Sequence, residues 1–87
     1  MKRVLFIESP VVKAIKSNQE WCFAIENIQD EMKNSDYGYC DVENSADDLS
    51  GMVDMELEIV GDDMYNLYIQ IIGGQNECFD EIGSWEE

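Results

Sequence analysis

Carboxylates occupy every second position in the segment "MVDMELEIV", which covers residues 52–60. Asp54, Glu56 and Glu58 alternate there with apolar residues, a period-two pattern that is typical of a β-strand with one buried face. Same-face residues of a strand lie about 6.6–6.8 Å apart. Successive phosphates of one nucleic-acid strand lie roughly 6–7 Å apart, given an axial rise of about 3.4 Å per nucleotide. The spacing therefore predicts a row of carboxylates that imitates a sugar-phosphate backbone.

Further residues extend this predicted surface. Asp62 and Asp63 continue the row at a turn, and Tyr68 on the following strand adds an aromatic ring for stacking. Acids from the preceding connection and from the C-terminal segment form the margin: Asp47, Asp48, Glu77, Asp80 and Glu81. We expect all these residues to belong to one partner-binding surface.

The net charge of −15 belongs entirely to the second part of the chain. Residues 1–33 carry as many bases as acids, whereas residues 34–87 contain many acids and neither lysine nor arginine. Two like charges 7 Å apart in water repel by about 0.6 kcal/mol, and a single lysine would relieve this cost. One-sided charge indicates a basic partner and disfavours direct binding to nucleic-acid phosphates. A row of acids on one strand is also typical of a face that is merely solvated, and this alternative stays open.

Catalytic and metal-binding patterns are missing from the sequence. The chain has no histidine, so a cysteine nucleophile would lack its usual base. Its cysteines, Cys22, Cys40 and Cys78, lie far apart and form no C-x-x-C pair, which predicts free thiols. The segment "DVENSADDLSG" lacks the glycine and the final glutamate of a calcium-binding EF-hand loop. We therefore expect no enzyme, no metal and no cofactor.

The length of 87 residues and the hydrophobic content of 45% predict one domain, residues 1–87, with a modest core. A charge-balanced strand and helix part is expected at 1–33, and an acidic, β-rich part at 34–87. Residues 2–8 are predicted to form a strand, and Ser9 with Pro10 to begin a short helix. From Ser17 onward, helical spacing of apolar residues predicts a second helix that ends near Asn34. Phe23 does not fit its apolar stripe, and a strand around residues 20–28 is the alternative.

Two strands, 52–60 and 64–72, are predicted to form a hairpin in which Leu57 faces Leu67 and Glu56 faces Tyr68. A short strand is expected over 37–42, a connecting loop or single helical turn before residue 52, and a flexible turn with a short acidic tail or helical turn after residue 72. The fold class is therefore α+β, with one or two helices packed on an antiparallel sheet of three to four strands. Strand 64–72 is expected at the sheet edge, where it could pair with a second copy. The sequence is compatible with a monomer or a homodimer.

The absence of an export signal or membrane span indicates a cytoplasmic protein, and the chain is also small, acidic and without catalytic residues. In these features the chain resembles the small acidic inhibitors carried by bacteriophages, among them anti-CRISPR proteins and nucleic-acid-mimicking anti-restriction proteins. The resemblance implies a non-enzymatic inhibitor that occupies the basic DNA or RNA channel of a host CRISPR effector or restriction nuclease. Two other readings are an acidic immunity protein or antitoxin that neutralises a basic toxin, and an interaction adaptor.

Overall fold

Three helices and four strands form the molecule, and the computed structural model describes residues 1–62 and 65–87. The elements in chain order are β1 Lys2–Glu8, α1 Ser9–Ser17, α2 Ala24–Glu31, α3 Tyr39–Val53, β2 Leu57–Asp62, β3 Asn66–Ile71 and β4 Phe79–Glu86. The α+β class is confirmed with four strands, but the helices number three rather than one or two. No helix in the described ranges is long and apolar enough to span a membrane.

The sheet is mixed, with the strand order β2-β3-β1-β4. β1 pairs in parallel with β3, placing Leu5 beside Leu67 and Ile7 beside Ile69. The pairs β1–β4 and β2–β3 are antiparallel. The prediction of a purely antiparallel sheet is therefore wrong, because the chain crosses over through the helices before β3 returns beside β1. β3 is interior rather than at an edge, and the outer strands are β2 and β4.

All three helices cover the same face of the sheet. The fully buried side chains Leu5, Ile7 and Ile69 of the sheet meet Ile15 and Ile25 of the helices. α3 adds an apolar stripe with helical spacing, formed by Val42, Ala46 and Leu49. One contiguous core thus joins the two parts of the chain that the charge distribution had separated.

The short acidic tail or helical turn predicted at the end of the chain is wrong, since Phe79–Glu86 form the strand β4. Phe6 pairs with Glu81 whereas Leu5 pairs with Gly83, so Ile82 is an extra residue in β4, as in a β-bulge. The bulge allows Ile82 and Trp85, three residues apart, both to be buried on the helix-covered side. Strict alternation would have put them on opposite faces.

A helix replaces the strand and loop that were predicted over residues 37–51. α3 begins after Gly38, whose backbone N–H donates to the Asp41 carboxylate at 2.9 Å, and it continues through Val53. Met52 and Val53, taken as the start of a strand, instead continue the helical apolar stripe and pack against the core. Gly51 in the helix interior obscured this continuity in the sequence.

The second predicted helix is confirmed over Ala24–Glu31, and the strand alternative around residues 20–28 is wrong. The helix begins later than predicted, because residues 19–23 form turns. Phe23 precedes α2 and its side chain is 63% exposed. This exposure explains why Phe23 did not fit the apolar stripe.

Glu8, at the end of β1, is a buried carboxylate that fixes the connection between β3 and β4. Its Oε1 accepts a hydrogen bond from the backbone N–H of Ile71 at 2.8 Å. The side-chain amide of Asn76 donates a second hydrogen bond to the same oxygen at 2.7 Å, in the amide orientation that satisfies both of its polar atoms. Asn76 has a left-handed backbone with φ 54°, which asparagine tolerates better than most residues. The buried charge is therefore hydrogen-bonded rather than paired with a base.

Candidate functional site

The predicted row of carboxylates on one strand is absent. Asp54 is the C-cap of α3 with φ 54° and ψ 44°, and Glu56 lies in the connection to β2. Only Glu58 belongs to a strand, because β2 begins at Leu57. All three are exposed, but the end of α3 interrupts the regular two-residue repeat. The prediction that these three carboxylates form a regular row on one strand is therefore wrong.

The hairpin keeps the predicted faces but has a different register. Glu58 faces Gln70 and Val60 faces Tyr68, so every pairing predicted between the two strands is shifted while the alternation is preserved. The Gln70 amide donates to the Glu58 carboxylate at 2.8 Å. Asp62 ends β2 opposite Asn66; nothing is described of its side chain, and Asp63 lies outside the described residues.

Tyr68 lies in an aromatic cluster on the sheet face opposite the helices. Its ring stacks on Phe6 with centroids 5.0 Å apart and meets Phe79 edge to face at 5.1 Å. Glu81 lies on this face because it pairs with Phe6. Glu58 lies on it because it pairs with Gln70, two residues after Tyr68 on the same strand. The face is therefore more apolar and less uniformly acidic than the sequence predicted.

The remaining predicted margin residues lie on three separate elements. Asp47 and Asp48 lie on α3 rather than in a loop, and Glu77 lies in the connection before β4. Asp80 lies on β4, where its carboxylate accepts the Ser9 hydroxyl at 2.8 Å. These acids are therefore spread over α3, β4 and the connection before β4.

A groove between α2 and α3 gathers acids that the sequence-based prediction mostly missed. It has a volume of about 460 Å³, and four carboxylates line it: Glu31, Asp36, Asp41 and Asp48. The lining also includes the apolar side chains of Ala24, Ile28, Leu49 and Met52 and the neutral polar side chains of Asn27, Asn34, Asn44 and Ser45. Asp48 is the one predicted site residue among them. Asp47, although adjacent to Asp48 on α3, does not line the groove.

Tyr37 lines the same groove and carries a buried hydroxyl without a hydrogen-bond partner. The side chain is only 4% exposed, and its ring packs edge to face on Trp85 with centroids 5.0 Å apart. Burial raises the pKa of Tyr37 to about 12, with the negative charges of Asp41 and Glu31 adding to the effect. The nearby Ser45 hydroxyl acts in the opposite direction, although the two hydroxyls do not meet the geometry of a hydrogen bond.

None of the four groove carboxylates belongs to an ion pair among the described residues. Within residues 1–62 and 65–87, the ion pairs join the N-terminal amine to Glu86, Arg3 to Glu87, and Lys33 to Asp30. In the same ranges no cluster of acids and cysteines has the geometry to hold a metal ion.

The helical spacing of Val42, Ala46, Leu49 and Val53 was the signal that could have revealed this site. Read as a helix, residues 39–53 place Asp41 and Asp48 seven residues apart on one side. The contribution of Tyr37 depends on tertiary packing against Trp85, for which the sequence has no local signal.

Comparison with known proteins adds no further information about the site. No protein-family model, curated protein or solved structure matches the chain.

Proposed function

We propose that the protein is a non-enzymatic inhibitor that binds the basic nucleic-acid groove of a host nuclease complex, with an RNA-guided nuclease of a CRISPR system as the first target to test. In this proposal it acts in the host cytoplasm and competes with DNA or RNA for arginine and lysine side chains. A CRISPR effector or a restriction nuclease would each supply such a groove.

The observation that carries the proposal is the unneutralised charge of α3. Asp41, Glu43, Asp47 and Asp48 all lie on this helix, and none of them belongs to the ion pairs found in the described ranges. Keeping like charges together without a nearby lysine weakens the fold. A partner that neutralises them on binding would explain their presence.

The outer side of α3 retains a spacing suited to backbone mimicry. Glu43 and Asp47 are one turn apart, which corresponds to about 6 Å along the helix axis. This distance is close to the roughly 6–7 Å between successive phosphates inferred from an axial rise of about 3.4 Å per nucleotide. In the revised proposal the helix, rather than the strand over 52–60, presents the phosphate-like pair.

Charge-reversal variants on α3 and at residues 56 and 58 test which of the two segments binds the partner. We expect Glu43→Lys with Asp47→Lys to abolish inhibition of target-DNA cleavage by a purified guide-loaded nuclease, because both outer charges of α3 would repel the basic groove. Glu56→Lys with Glu58→Lys makes the same change in net charge outside α3 and should weaken inhibition less. Thermal melts of both variants check that the fold persists. Equal loss in both would refute a specific role for α3.

Competition by nucleic acid tests the proposal itself. The wild-type protein should be displaced from the nuclease by an excess of double-stranded target DNA, and binding should weaken steeply as salt rises. A pull-down from host lysate with and without competing DNA identifies the target. Capture of a partner that DNA does not displace would contradict the proposal.

An immunity protein or antitoxin for a basic toxin is the second candidate. The α2–α3 groove favours this second candidate. A concave site of about 460 Å³ fits a side chain that protrudes from the partner's surface better than it fits the wall of a nucleic-acid channel. The two candidates differ in whether the captured partner is a small toxin or a nuclease assembly with bound RNA.

A further inference from the structure

We propose that the outer edge of β2 binds an extended, basic segment of the partner, which adds to the sheet as a fifth strand. The inference rests on the proposed function only in taking the partner to be basic. It adds a binding surface next to the end of α3 and the backbone conformation that this surface recognises. In strand addition, main-chain hydrogen bonds provide the affinity and alternate side chains provide the specificity.

The backbone of β2 has hydrogen-bonding groups on its outer side. β2 is the last strand of the sheet and pairs only with β3. The Ile72 N–H donates to the Glu56 carbonyl at 3.0 Å, so these two residues are a hydrogen-bonded pair of the antiparallel ladder. Because such pairs alternate along a ladder, the N–H and C=O groups of Leu57, Ile59 and Gly61 point away from β3. Among the described residues these groups have no hydrogen-bond partner.

The two outer strands of the sheet differ in how well their edges are protected. β4 has a bulge at Ile82 and carries the charged residues Asp80, Glu81 and Glu86. Bulges and charges are common protections of an edge against strand addition. β2 instead keeps a regular register with β3 over all its six residues, and its apolar Val60 is 38% exposed. The edge that is open to strand addition is therefore that of β2.

An apolar depression of about 560 Å³ lies at the start of β2. Its apolar lining comes from Met55, Leu57 and Ile72, and the side chains of Met55 and Ile72 are exposed. Alternate residues of a strand point to the same face, so one apolar side chain of an added strand would reach the depression. Its insertion would remove these apolar side chains from water.

Charge complementarity favours a basic segment over a second copy of the chain. Asp54, Glu56 and Glu58 are exposed at the start of β2, and none of them belongs to an ion pair in the described part of the chain. Lysine or arginine on the added strand would lie beside these carboxylates, and opposite charges on neighbouring strands stabilise a sheet. A second copy would bring the same carboxylates to the same edge, where like charges destabilise the pairing.

Hydrogen exchange of single backbone amides tests the inference. In the free protein the amides of Leu57, Ile59 and Gly61 should exchange at least about tenfold faster than those of Glu58 and Val60, which donate to β3. Saturation with the capped peptide Lys-Val-Arg-Val-Lys should slow exchange of the three outward amides by about tenfold or more. Exchange of the outward amides that the peptide does not slow would overturn the proposal.

Modified peptides separate the contribution of the backbone from that of the charge. In antiparallel addition with the valines on the face of Leu57 and Ile59, the valine N–H groups point at β2. Methylation of both valine N–H groups should therefore weaken binding by about tenfold or more. Methylation of the arginine N–H should have a smaller effect, and equal effects would overturn the proposed pairing. The peptide Glu-Val-Glu-Val-Glu should not bind measurably, and binding as tight as that of the basic peptide would overturn the choice of a basic segment.

Two variants of Gly61 test the edge from the side of the protein. Gly61→Pro removes one outward N–H and leaves the bonds to β3, because proline is tolerated where the N–H of an edge strand faces solvent. It should weaken binding of the basic peptide about fivefold, as expected for a lost hydrogen bond. Gly61→Ala keeps the N–H, and its Cβ atom would lie 3.8 Å from Leu67, so affinity should change by less than about twofold. Equal effects, with melting temperatures unchanged, would show that the edge is not the site.

Sedimentation of the free protein distinguishes the basic segment from a second copy, and we expect a monomer. A dimer whose outward amides are already protected would overturn the choice of occupant. Failure of the proposed function gives a different result, since nuclease activity would then be unaffected while the basic peptide still protects these amides. If inhibition is observed and the peptide gives no protection, the edge assignment alone is wrong.

Discussion

Asp54 combines two unfavourable features at one residue. Its left-handed backbone, with φ 54°, is a conformation that glycine adopts without strain and other residues adopt at a cost. Its negative charge also lies at the C-terminal end of α3, where the helix dipole favours cations. α3 has no basic residue in its last turn to offset this.

We expect Asp54→Gly to raise the free energy of unfolding by about 1 kcal/mol, because glycine relieves the backbone conformation and the charge is removed. Urea denaturation measures the change. Asp54→Ala is the control, since it removes the charge and keeps a Cβ atom, and it should stabilise the protein less than Asp54→Gly. A loss of stability in Asp54→Gly would show that the aspartate side chain contributes a contact of its own.

Tyr37 should make the stability of the protein fall at alkaline pH. Burial raises its pKa from 10.0 to about 12 in the folded state, so the folded protein holds the phenol proton more tightly than the unfolded chain does. The resulting stability is fully present below pH 10 and is lost as the pH rises to about 12. The loss should not exceed about 2–3 kcal/mol.

Tyrosinate absorbance and chemical denaturation at several pH values measure this effect. In Tyr37→Phe the transition near pH 12 should disappear from the absorbance titration, and stability should fall less steeply between pH 10 and 12 than in the wild type. Deprotonation of the lysines affects both proteins equally, so the difference between them reports on Tyr37. Identical pH profiles would contradict the assignment.

At the scale of elements, two glycines differ in their surroundings. A Cβ atom at Gly83 of β4 would lie 2.6 Å from Sδ of Met32, whereas a Cβ atom at Gly51 of α3 would meet nothing within 4 Å. Met32 follows α2 and is buried. Gly83 therefore permits close packing of β4 against the end of α2, and Gly51 has no such role.

We expect Gly83→Ala to lower the free energy of unfolding by about 1–2 kcal/mol through overpacking. Gly51→Ala should raise it by about 0.5–1 kcal/mol, because alanine favours a helix interior more than glycine does. Urea denaturation of both variants checks the two signs. In a Met32→Ala background the cost of Gly83→Ala should shrink, and an unchanged cost would exclude contact with Met32 as its cause.

The elements differ in how far the sequence could predict them. β1 at residues 2–8 and the helical stripe that became α2 were predictable, because an apolar run and a 3.6-residue period are local signals. α3 was not predictable from the sequence, since Gly51 interrupts its helical pattern. The alternation in "MVDMELEIV" also runs across the end of α3 and is typical of a strand. The parallel pairing of β1 with β3 depends on tertiary contacts that no local pattern carries.

The candidate site, like the fold, was only partly predictable from the sequence. The excess of acids after Lys33 was evident from composition, and Asp48 was included in the predicted surface. Glu31, Asp36 and Asp41 join Asp48 only because α2, α3 and the connection between them line one groove. A strand interpretation of residues 37–42 could not place Tyr37 beneath them, and these partners were therefore missed.

For the whole molecule, the net charge of −15 predicts opposite responses of stability and of partner binding to salt. Added salt screens repulsion among the carboxylates, so the urea midpoint should rise between low and high ionic strength. The same screening should weaken binding to a basic partner. Sodium chloride titrations in both assays measure the two trends.

The control for this prediction is Glu43→Lys with Asp47→Lys, which lowers the magnitude of the charge and should reduce the salt dependence of stability. A midpoint that is independent of salt in the wild type would mean that carboxylate repulsion has no measurable effect on the fold. That result would remove the energetic argument for a neutralising partner.

The position of β1 between β3 and β4 has a consequence for biosynthesis. Its neighbours β3 and β4 begin at Asn66 and Phe79, so during synthesis β1 finds no pairing strand until these later segments have been made. Contacts between such distant residues slow folding, and an exposed strand edge invites association with other chains. We therefore expect the nascent protein to depend on chaperones that shield β1 until β3 and β4 have been synthesised.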